Sequence, residues 1–329
     1  MQRIVVFLAL ALVAVTLGGA APAHAIANGD TVPDGTYGFA VKLTDYDIPV
    51  LGGGTRDSSC SGGLISPHWV LTAGHCFRDT RGNRVSRPVA RKTVATVGRA
   101  SLSGSGGHDV RVVEVRQQGT LDIALARMDK AVTDVKPLRL SRSAPKSGAR
   151  VRLAGFGLLR ATDAKTPNRL RTGLFKVTSV SKTEIGMTGI DPAGNTSPCE
   201  HDSGGPYFTV AKDGTATVVG VVSHGPDCPH TGPDQAGRID KVAAWIQSVI
   251  RDDVLPSPTP SRTRAGTSPP AAAAAPPDSS NSLVGFAIPW AYLGAGLAGV
   301  LFCIGLLQSA RGSRRRASAR RKPPHRRRH

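Results

Sequence analysis

Three short segments of the chain carry side chains that together could perform nucleophilic catalysis. His75 lies within the segment TAGHC, Asp122 within LDIAL and Ser203 within CEHDSGGP. A serine hydroxyl is a poor nucleophile at neutral pH, so it needs a base to take its proton and a carboxylate to orient that base. Each residue type alone is usually structural, but the three segments together predict acyl-transfer chemistry.

The order of these segments, histidine then aspartate then serine over about 130 residues, resembles that of the chymotrypsin/trypsin-like serine peptidases. Subtilisins and α/β-hydrolases carry the same residue types in other orders. The resemblance implies that His75 is the general base, that Asp122 orients its imidazole and that Ser203 is the nucleophile. It also implies a protein or peptide substrate. Phosphate-loop, EF-hand and dinucleotide-binding patterns are absent, so we expect no cofactor and no metal.

Four of the five cysteines lie close to the candidate catalytic segments. Cys60 and Cys76 bracket the histidine segment, whereas Cys199 and Cys228 bracket the serine segment and the strand after it. Cysteines form disulfides in the oxidising environment that an exported protein reaches. The close Cys/His spacing of a zinc site is missing, which argues against zinc binding. The resemblance implies the disulfides Cys60–Cys76 and Cys199–Cys228, and Cys303 falls in an apolar segment near the C-terminus.

The candidate oxyanion hole departs from the family pattern. The resemblance implies that the backbone N–H groups of Ser203 and His201 bind the oxyanion, but the family nearly always has glycine where this chain has His201. Glycine permits backbone angles that other residues resist. The N–H remains after this replacement, and the sequence leaves open whether His201 weakens catalysis or narrows the choice of substrates.

Asp202 has a separate implied role, in activation. In the family, the carboxylate beside the serine pairs with a newly freed N-terminal isoleucine or valine. Ile26 begins the segment IANG, which resembles the family start IVGG and directly follows a predicted signal-peptide cleavage site. Our hypothesis is that signal peptidase itself creates the activating amine, without a separate zymogen step.

The residues that would set specificity leave two alternatives open. Ser197 stands six residues before the serine, where enzymes that cut after lysine or arginine have aspartate. Asp234 falls near the opposite wall of the pocket base, where a carboxylate could bind a basic side chain. If Asp234 instead lies on a surface loop, Ser197 suggests an apolar preference. Ser223 and Gly225 match the strand that pairs with the substrate backbone.

The two ends of the chain predict export and anchoring. Residues 1–25 combine a positive start, an apolar run and the small-x-small pattern of a signal peptide. Residues 283–307 carry no charge and are long enough for a transmembrane helix. The tail, residues 308–329, contains ten lysines and arginines, which the positive-inside rule places in the cytoplasm. Residues 256–282 are rich in proline, alanine and serine and predict a disordered stalk.

The strongly basic composition is explained by this topology. The formal net charge is +19, and ten of the positive charges belong to the tail, which we expect to contact anionic membrane lipid and not nucleic acid. We therefore expect a single-pass cell-membrane protein with the peptidase domain outside and the C-terminus in the cytoplasm. The composition, rich in alanine, glycine and arginine, and the style of the signal peptide suggest a bacterial type. The sequence does not indicate an oligomeric state.

Residues 26–255 form the predicted folded domain. Short runs rich in valine, leucine and isoleucine alternate with glycine, serine and proline clusters, which predicts an all-β architecture. Helical periodicity is found only at residues 239–250. The resemblance specifies two six-stranded antiparallel β-barrels with a C-terminal helix, plus the separate transmembrane helix. The predicted strands include Phe39–Leu43, Trp69–Thr72, Thr93–Val97, Val110–Val115, Arg150–Gly155 and Val218–Ser223.

The leading interpretation is a membrane-anchored, extracytoplasmic serine endopeptidase that uses a Ser-His-Asp triad and, if Asp234 forms the base of its pocket, cuts after arginine or lysine. The alternative is a tethered binding module of the same fold in which His201 has weakened catalysis. A complete set of His75, Asp122 and Ser203 argues against that alternative, because a decayed enzyme has no reason to keep all three.

Overall fold

The computed structural model describes residues 26–253, which form fourteen strands and one α-helix. Within this range no helix is long and apolar enough to cross a membrane. The predicted signal peptide, stalk, transmembrane helix and basic tail lie outside the described residues. The elements are β1 Asp30–Thr31, β2 Ala40–Pro49, β3 Thr55–Ser66, β4 Trp69–Thr72, β5 Lys92–Val97, β6 His108–Gln117, β7 Ala124–Met128, β8 Arg139–Leu140, β9 Arg150–Gly155, β10 Arg171–Val180, β11 Glu184–Asp191, β12 Pro206–Val210, β13 Ala216–His224, β14 Asp234–Arg238 and α1 Ala243–Ile250.

The first barrel closes six antiparallel strands in the order β2-β3-β4-β7-β6-β5. In β6, Val110 and Val112 point inward and alternate with exposed residues, as a half-buried strand requires. A register shift at Val113 then turns Val115 inward as well. The strand therefore ends with Gln117 beside the turn that follows β4, where its Nε2 donates to the carbonyl of Gly74 at 2.9 Å.

The second barrel closes six antiparallel strands in the order β9-β10-β11-β14-β13-β12, with β12 paired back to β9. Strand β1 extends this sheet along β10, and β8 pairs in parallel with β13. The rings of Phe175 and Tyr207 pack edge to face in its core, 5.2 Å apart. The two predicted six-stranded barrels are thus confirmed.

Aromatic side chains join the two barrels. Phe208, from β12 of the second barrel, contacts Tyr37 and Phe39 beside the first barrel, with ring centroids 5.0 Å apart in both pairs. Gly63 in β3 allows this close approach, since a Cβ there would lie 2.6 Å from Leu138 and 3.4 Å from Pro206. The loops that carry the candidate site therefore lie at a closely packed interface between the two barrels.

The helix α1 is shorter than the predicted segment 239–250. Residues 239–242 form a turn, in which the N–H of Val242 donates to the carbonyl of Ile239 at 3.0 Å, before the helix begins. Ile239, Val242 and Ile246 are all buried against the core shared with the first barrel. The apolar periodicity therefore reflects the buried face of a turn followed by a helix.

A cluster that we call the C-terminal clamp holds the end of α1. The carboxylate of Asp253 accepts hydrogen bonds from Oγ of Ser66 at 2.7 Å and from the N–H of His68 at 2.8 Å, and it contacts Nδ1 of His68 at 2.7 Å. Ser66 is the last residue of β3, and His68 lies in the turn between β3 and β4. The clamp therefore fixes the end of the folded domain to the first barrel.

Candidate active site

His75 and Asp122 are brought together by two loops of the first barrel. His75 lies in a single 3-10 turn after β4, and Asp122 lies in the loop before β7. The N–H of His75 donates to Oδ1 of Asp122 at 2.8 Å, and Nδ1 of His75 lies 2.7 Å from Oδ2. An ionised carboxylate only accepts hydrogen bonds, so Nδ1 carries the proton and Nε2 faces away as an acceptor.

A side chain from the second barrel, Ser223, also contacts the carboxylate of Asp122. Oγ of Ser223 donates to Oδ2 of Asp122 at 2.7 Å, and the guanidinium of Arg84 lies 3.7 Å from Oδ1. Burial by itself would raise the pKa of Asp122, but the hydrogen bonds and charge of His75 and the bond from Ser223 lower it to about 2. The carboxylate therefore stays ionised at neutral pH.

Ser203 lies in the loop before β12, against the segment that leads to His75. The Ser61 N–H donates to the carbonyl of Ser203 at 2.9 Å. Gly204 has a φ of +86°, and a Cβ there would lie 2.1 Å from Oγ1 of Thr72 and 2.8 Å from the nitrogen of Ala73. Only glycine allows this approach. Within residues 26–253, Oγ of Ser203 forms no hydrogen bond with His75, and such bonds are often long before substrate binds.

His201 adopts the backbone conformation that glycine usually supplies, with a φ of +75°. Nδ1 of its ring lies 2.8 Å from the carbonyl oxygen of Ser59, and its own carbonyl accepts a hydrogen bond from Oγ of Ser61 at 3.1 Å. The backbone N–H groups of His201 and Ser203 find no acceptor among the described residues. Two neighbouring donors are thus left free beside the serine.

Asp202 is fully buried, and its carboxylate accepts hydrogen bonds from the N–H groups of Gly157 at 2.7 Å and Cys199 at 3.0 Å. Burial raises its pKa to about 7, although these two donors and the charge of Lys42 act in the opposite direction. Ile26 is also fully buried, in the core of the second barrel. In the intact chain its nitrogen belongs to a peptide bond, and among the described residues no ion pair joins it to Asp202.

Both predicted disulfides are confirmed. Cys60–Cys76 ties β3 to the turn that carries His75, and Cys199–Cys228 ties the serine loop to the loop before β14. Each crosslink restricts the unfolded chain and stabilises the loops that it joins.

Ser197, Gly225 and Asp234 lie close together, and His230 contacts two of them. Asp234 is only 2% exposed, so it does not lie on a surface loop. A Cβ on Gly225 would lie 2.1 Å from Oδ1 of Asp234. His230 connects Ser197 with Asp234: the N–H of His230 donates to Oγ of Ser197 at 3.3 Å, and Nε2 of His230 lies 3.1 Å from Oδ1 of Asp234.

Asp234 carries a buried oxygen that lacks a hydrogen bond. Within residues 26–253, Oδ2 of Asp234, Nδ1 of His230 and the hydroxyl of Tyr207 are buried and have no partner. Burial and, to a smaller extent, the nearby charge of Asp202 raise the pKa of Asp234 to about 8. The carboxylate is thus placed where a cation would be favourable.

An open cleft of about 570 Å³ adjoins the pair of His75 and Asp122. Ser223 and His224, at the end of β13, also line it. The cleft therefore adjoins both the imidazole and the strand that the resemblance assigns to the substrate backbone.

Sequence reasoning missed two residues of this site. Ser61 holds the backbone of His201, and nothing in its segment CSGG signals that contact. His230 bonds Asp234, and its position four residues earlier in a loop is the only signal. Ser223 was expected to pair with the substrate backbone, and its hydroxyl additionally contacts Asp122.

Comparison with known proteins gives a consistent result. The model of the family described as "Trypsin" matches residues 28–246. Kallikrein-8 of Rattus norvegicus is 25% identical over 205 residues, which cover 58% of this chain and 76% of that relative. Neuropsin, described as a serine protease expressed in the limbic system of mouse brain, is 22% identical with a TM-score of 0.53, and a protein described as "GrC" is 20% identical with a TM-score of 0.54. Both matches cover 68% of this chain and 98% of the other, and at these identities they show the fold alone.

Proposed function

The chain belongs to the trypsin family and is a serine endopeptidase, and from this premise we propose that His75, Asp122 and Ser203 form its catalytic triad. The observation that carries the proposal is the contact of 2.7 Å between Nδ1 of His75 and Oδ2 of Asp122. It leaves Nε2 of His75 unprotonated and able to accept the proton of Ser203.

Peptide hydrolysis then proceeds through an acyl-enzyme. Oγ of Ser203 attacks the carbonyl carbon of the peptide bond while Nε2 of His75 takes the hydroxyl proton. Asp122 stabilises the imidazolium, which returns the proton to the departing amine as the C–N bond breaks. A water molecule that His75 deprotonates attacks the acyl-enzyme, and the acid product leaves with Ser203 restored.

We assign the oxyanion hole to the N–H groups of His201 and Ser203. Both donors lack acceptors in the described part of the chain. The contact of the His201 ring with the carbonyl of Ser59 and the bond from Oγ of Ser61 to the carbonyl of His201 hold this residue in place. Donors that are oriented before the reaction stabilise the developing negative charge without reorganisation.

We further propose that Asp234 selects substrates with arginine or lysine before the cleaved bond. The support is its unpartnered Oδ2, which is buried beside Gly225 and His230. A guanidinium that reaches this oxygen supplies the missing donor and the missing positive charge. A pocket that held only Ser197 would favour apolar side chains.

Activation is proposed to follow cleavage before Ile26. Asp202 is a fully buried carboxylate that accepts hydrogen bonds only from backbone N–H groups, and burial raises its pKa to about 7. The amine freed at Ile26 would be its cationic partner. N-terminal sequencing of the mature protein should begin at Ile26, and a start several residues earlier contradicts the proposal.

The cellular location is proposed from the sequence. An uncharged segment at residues 283–307, followed by a basic tail, supports a single-pass anchor in a bacterial-type cell membrane with the peptidase domain outside. Protease treatment of intact cells should remove the domain and spare an epitope fused to the C-terminus. Loss of the epitope, or recovery of full-length protein from the soluble fraction, contradicts this topology.

Labelling with a fluorophosphonate probe tests the triad. The mature domain should be labelled, and Ser203→Ala and His75→Ala should each abolish both labelling and peptide hydrolysis. The double variant should be no worse than either single variant, because the two residues act in one step. A folded domain that remains unlabelled would favour the binding-module alternative.

A further inference from the structure

A second groove, of about 680 Å³, begins at His201 and crosses the outer face of β2 and β5. We call it the basic groove. Its charged lining residues, besides His201 itself, are Lys42, Asp57, Lys92, Arg99, Asp109 and Lys165.

The charges in the basic groove do not cancel. Arg99 and Asp109 form an ion pair with each other, with Nη1 and Oδ2 separated by 3.2 Å. Lys42, Lys92 and Lys165 form no ion pair within residues 26–253, and Asp57 is the one remaining acid among the lining residues. An excess of positive charge is therefore left facing the groove.

The positive charge of Lys42 is partly buried and has no anionic partner in the described structure. Burial lowers its pKa, and its Nζ donates to Oγ1 of Thr166 at 2.6 Å without contacting a carboxylate. Asp202, whose charge acts on Lys42, is fully buried and bonded to backbone donors. A partly desolvated ammonium that lacks a counterion is stabilised when an anionic group reaches it.

The position of the basic groove indicates which part of a substrate enters it. In the proposed function, Asp234 binds the side chain that stands before the cleaved bond. The basic groove contains neither His75 nor Asp122, and it shares with that machinery only His201. A peptide whose carbonyl oxygen meets the N–H of His201 therefore directs its leaving part into the basic groove.

We propose that the basic groove selects substrates with acidic side chains shortly after the cleaved bond, and that Lys42, Lys92 and Lys165 are the residues that determine this preference. The proposal rests on the proposed peptidase function and adds a second specificity site to it. Lys92 and Lys165 are exposed and meet the acidic side chains first, while Lys42 contacts the segment nearest His201.

Matched peptide pairs test the proposal. The two members of a pair share the segment before the cleaved bond, which ends in arginine in one series and in phenylalanine in the other. After the bond, the second to fourth positions hold glutamate and aspartate in one member and glutamine and asparagine in the other. We expect kcat/KM to be about tenfold higher for the acidic member, as several exposed charge contacts would give. The ratio should fall towards one in 0.5 M salt.

Lysine variants locate the effect. The double variant Lys92→Glu/Lys165→Glu changes only exposed side chains and should reverse the preference. Lys42→Met should reduce it, whereas the control Lys136→Met should not, since Lys136 also donates to a threonine hydroxyl but lies outside the basic groove. Equal cleavage of both peptides by the wild type overturns the proposal and leaves the peptidase function standing. Cleavage of no peptide in either series overturns the peptidase function instead.

Discussion

At the scale of single residues, His201 shows how a side chain is accommodated where the family has glycine. Its φ of +75° costs about 1–2 kcal/mol for a residue with a Cβ. The contacts of its ring with Ser59 and of its carbonyl with Ser61 offset that cost and hold the N–H in place. The oxyanion donor is kept, and an imidazole is added at the entrance of the basic groove.

Two substitutions at His201 should therefore differ. His201→Gly should leave kcat within about threefold of the wild type, because glycine adopts the same φ without strain. His201→Ala should lower kcat about tenfold, since it keeps the strained φ and loses the bond to Ser59, a bond worth about 1 kcal/mol. Steady-state kinetics on one small peptide, with circular dichroism to confirm folding, distinguishes them. Equal losses in both variants would show that the imidazole itself assists catalysis.

Asp234 should make arginine specificity depend on pH. Its pKa of about 8 in the free enzyme means that the carboxyl is largely protonated at pH 7 and ionised at pH 9. We expect kcat/KM for an arginine substrate to rise between these pH values relative to a phenylalanine substrate. Asp234→Ser should abolish both the rise and the arginine preference. If Asp234→Ser retains the arginine preference, the pocket must be elsewhere.

At the scale of elements, the C-terminal clamp compensates for a short last helix. α1 has eight residues, no side-chain cap and no basic residue in its last turn, so it has little intrinsic stability. Its buried face and the bonds from Ser66 and His68 to Asp253 hold it against the first barrel. Burial alone would raise the pKa of Asp253, but the hydrogen bonds from His68 and Ser66 lower it overall.

His68→Ala should consequently destabilise the domain by about 1–2 kcal/mol at pH 7 and leave kcat unchanged, because the hydrogen bonds of the clamp involve none of His75, Asp122 and Ser203. Since the folded pKa of Asp253 is depressed, its contribution is present above the unfolded pKa and is lost as the pH falls below about 4. Urea denaturation at pH 7 and pH 3 measures the difference. A loss that is equally large at pH 3 would mean that His68 acts through packing.

At the scale of the whole molecule, three buried carboxyls set the pH dependence of stability. Burial raises the pKa of Asp45 to about 6, of Asp202 to about 7 and of Asp234 to about 8. Each binds its proton more tightly in the folded state than in the unfolded chain. The stability that they provide is therefore complete below about pH 4 and is lost as the pH rises towards 8.

The intact chain should accordingly show a Tm that falls between pH 5 and pH 8, and Asp234→Asn should flatten the upper part of this slope. Differential scanning calorimetry measures both. The protein cleaved before Ile26 should lose the part of the slope due to Asp202, because the freed amine lowers the pKa of that carboxyl. A Tm that stays constant or rises over this range would contradict the account of buried, protonated carboxyls.

Much of this architecture was predictable because its signals are local. The apolar runs Trp69–Thr72 and Arg150–Gly155 coincide with β4 and β9. β2 extends to Pro49, beyond its predicted end, because polar residues continue the pairing with β3 after the apolar run stops. The contacts of Asp253 with His68 and of His201 with Ser59 join residues more than 140 positions apart, so no local pattern signals them.

The C-terminal clamp also decides how the domain responds to pulling. The chain continues past Asp253, so a force applied there reaches this carboxylate before it reaches α1. The three contacts of Asp253 with Ser66 and His68 bear this force in parallel. They must break before the force can unfold the helix. The tension is thus transmitted to the strands of the first barrel. The domain carries its own mechanical anchor at the point where the chain leaves it.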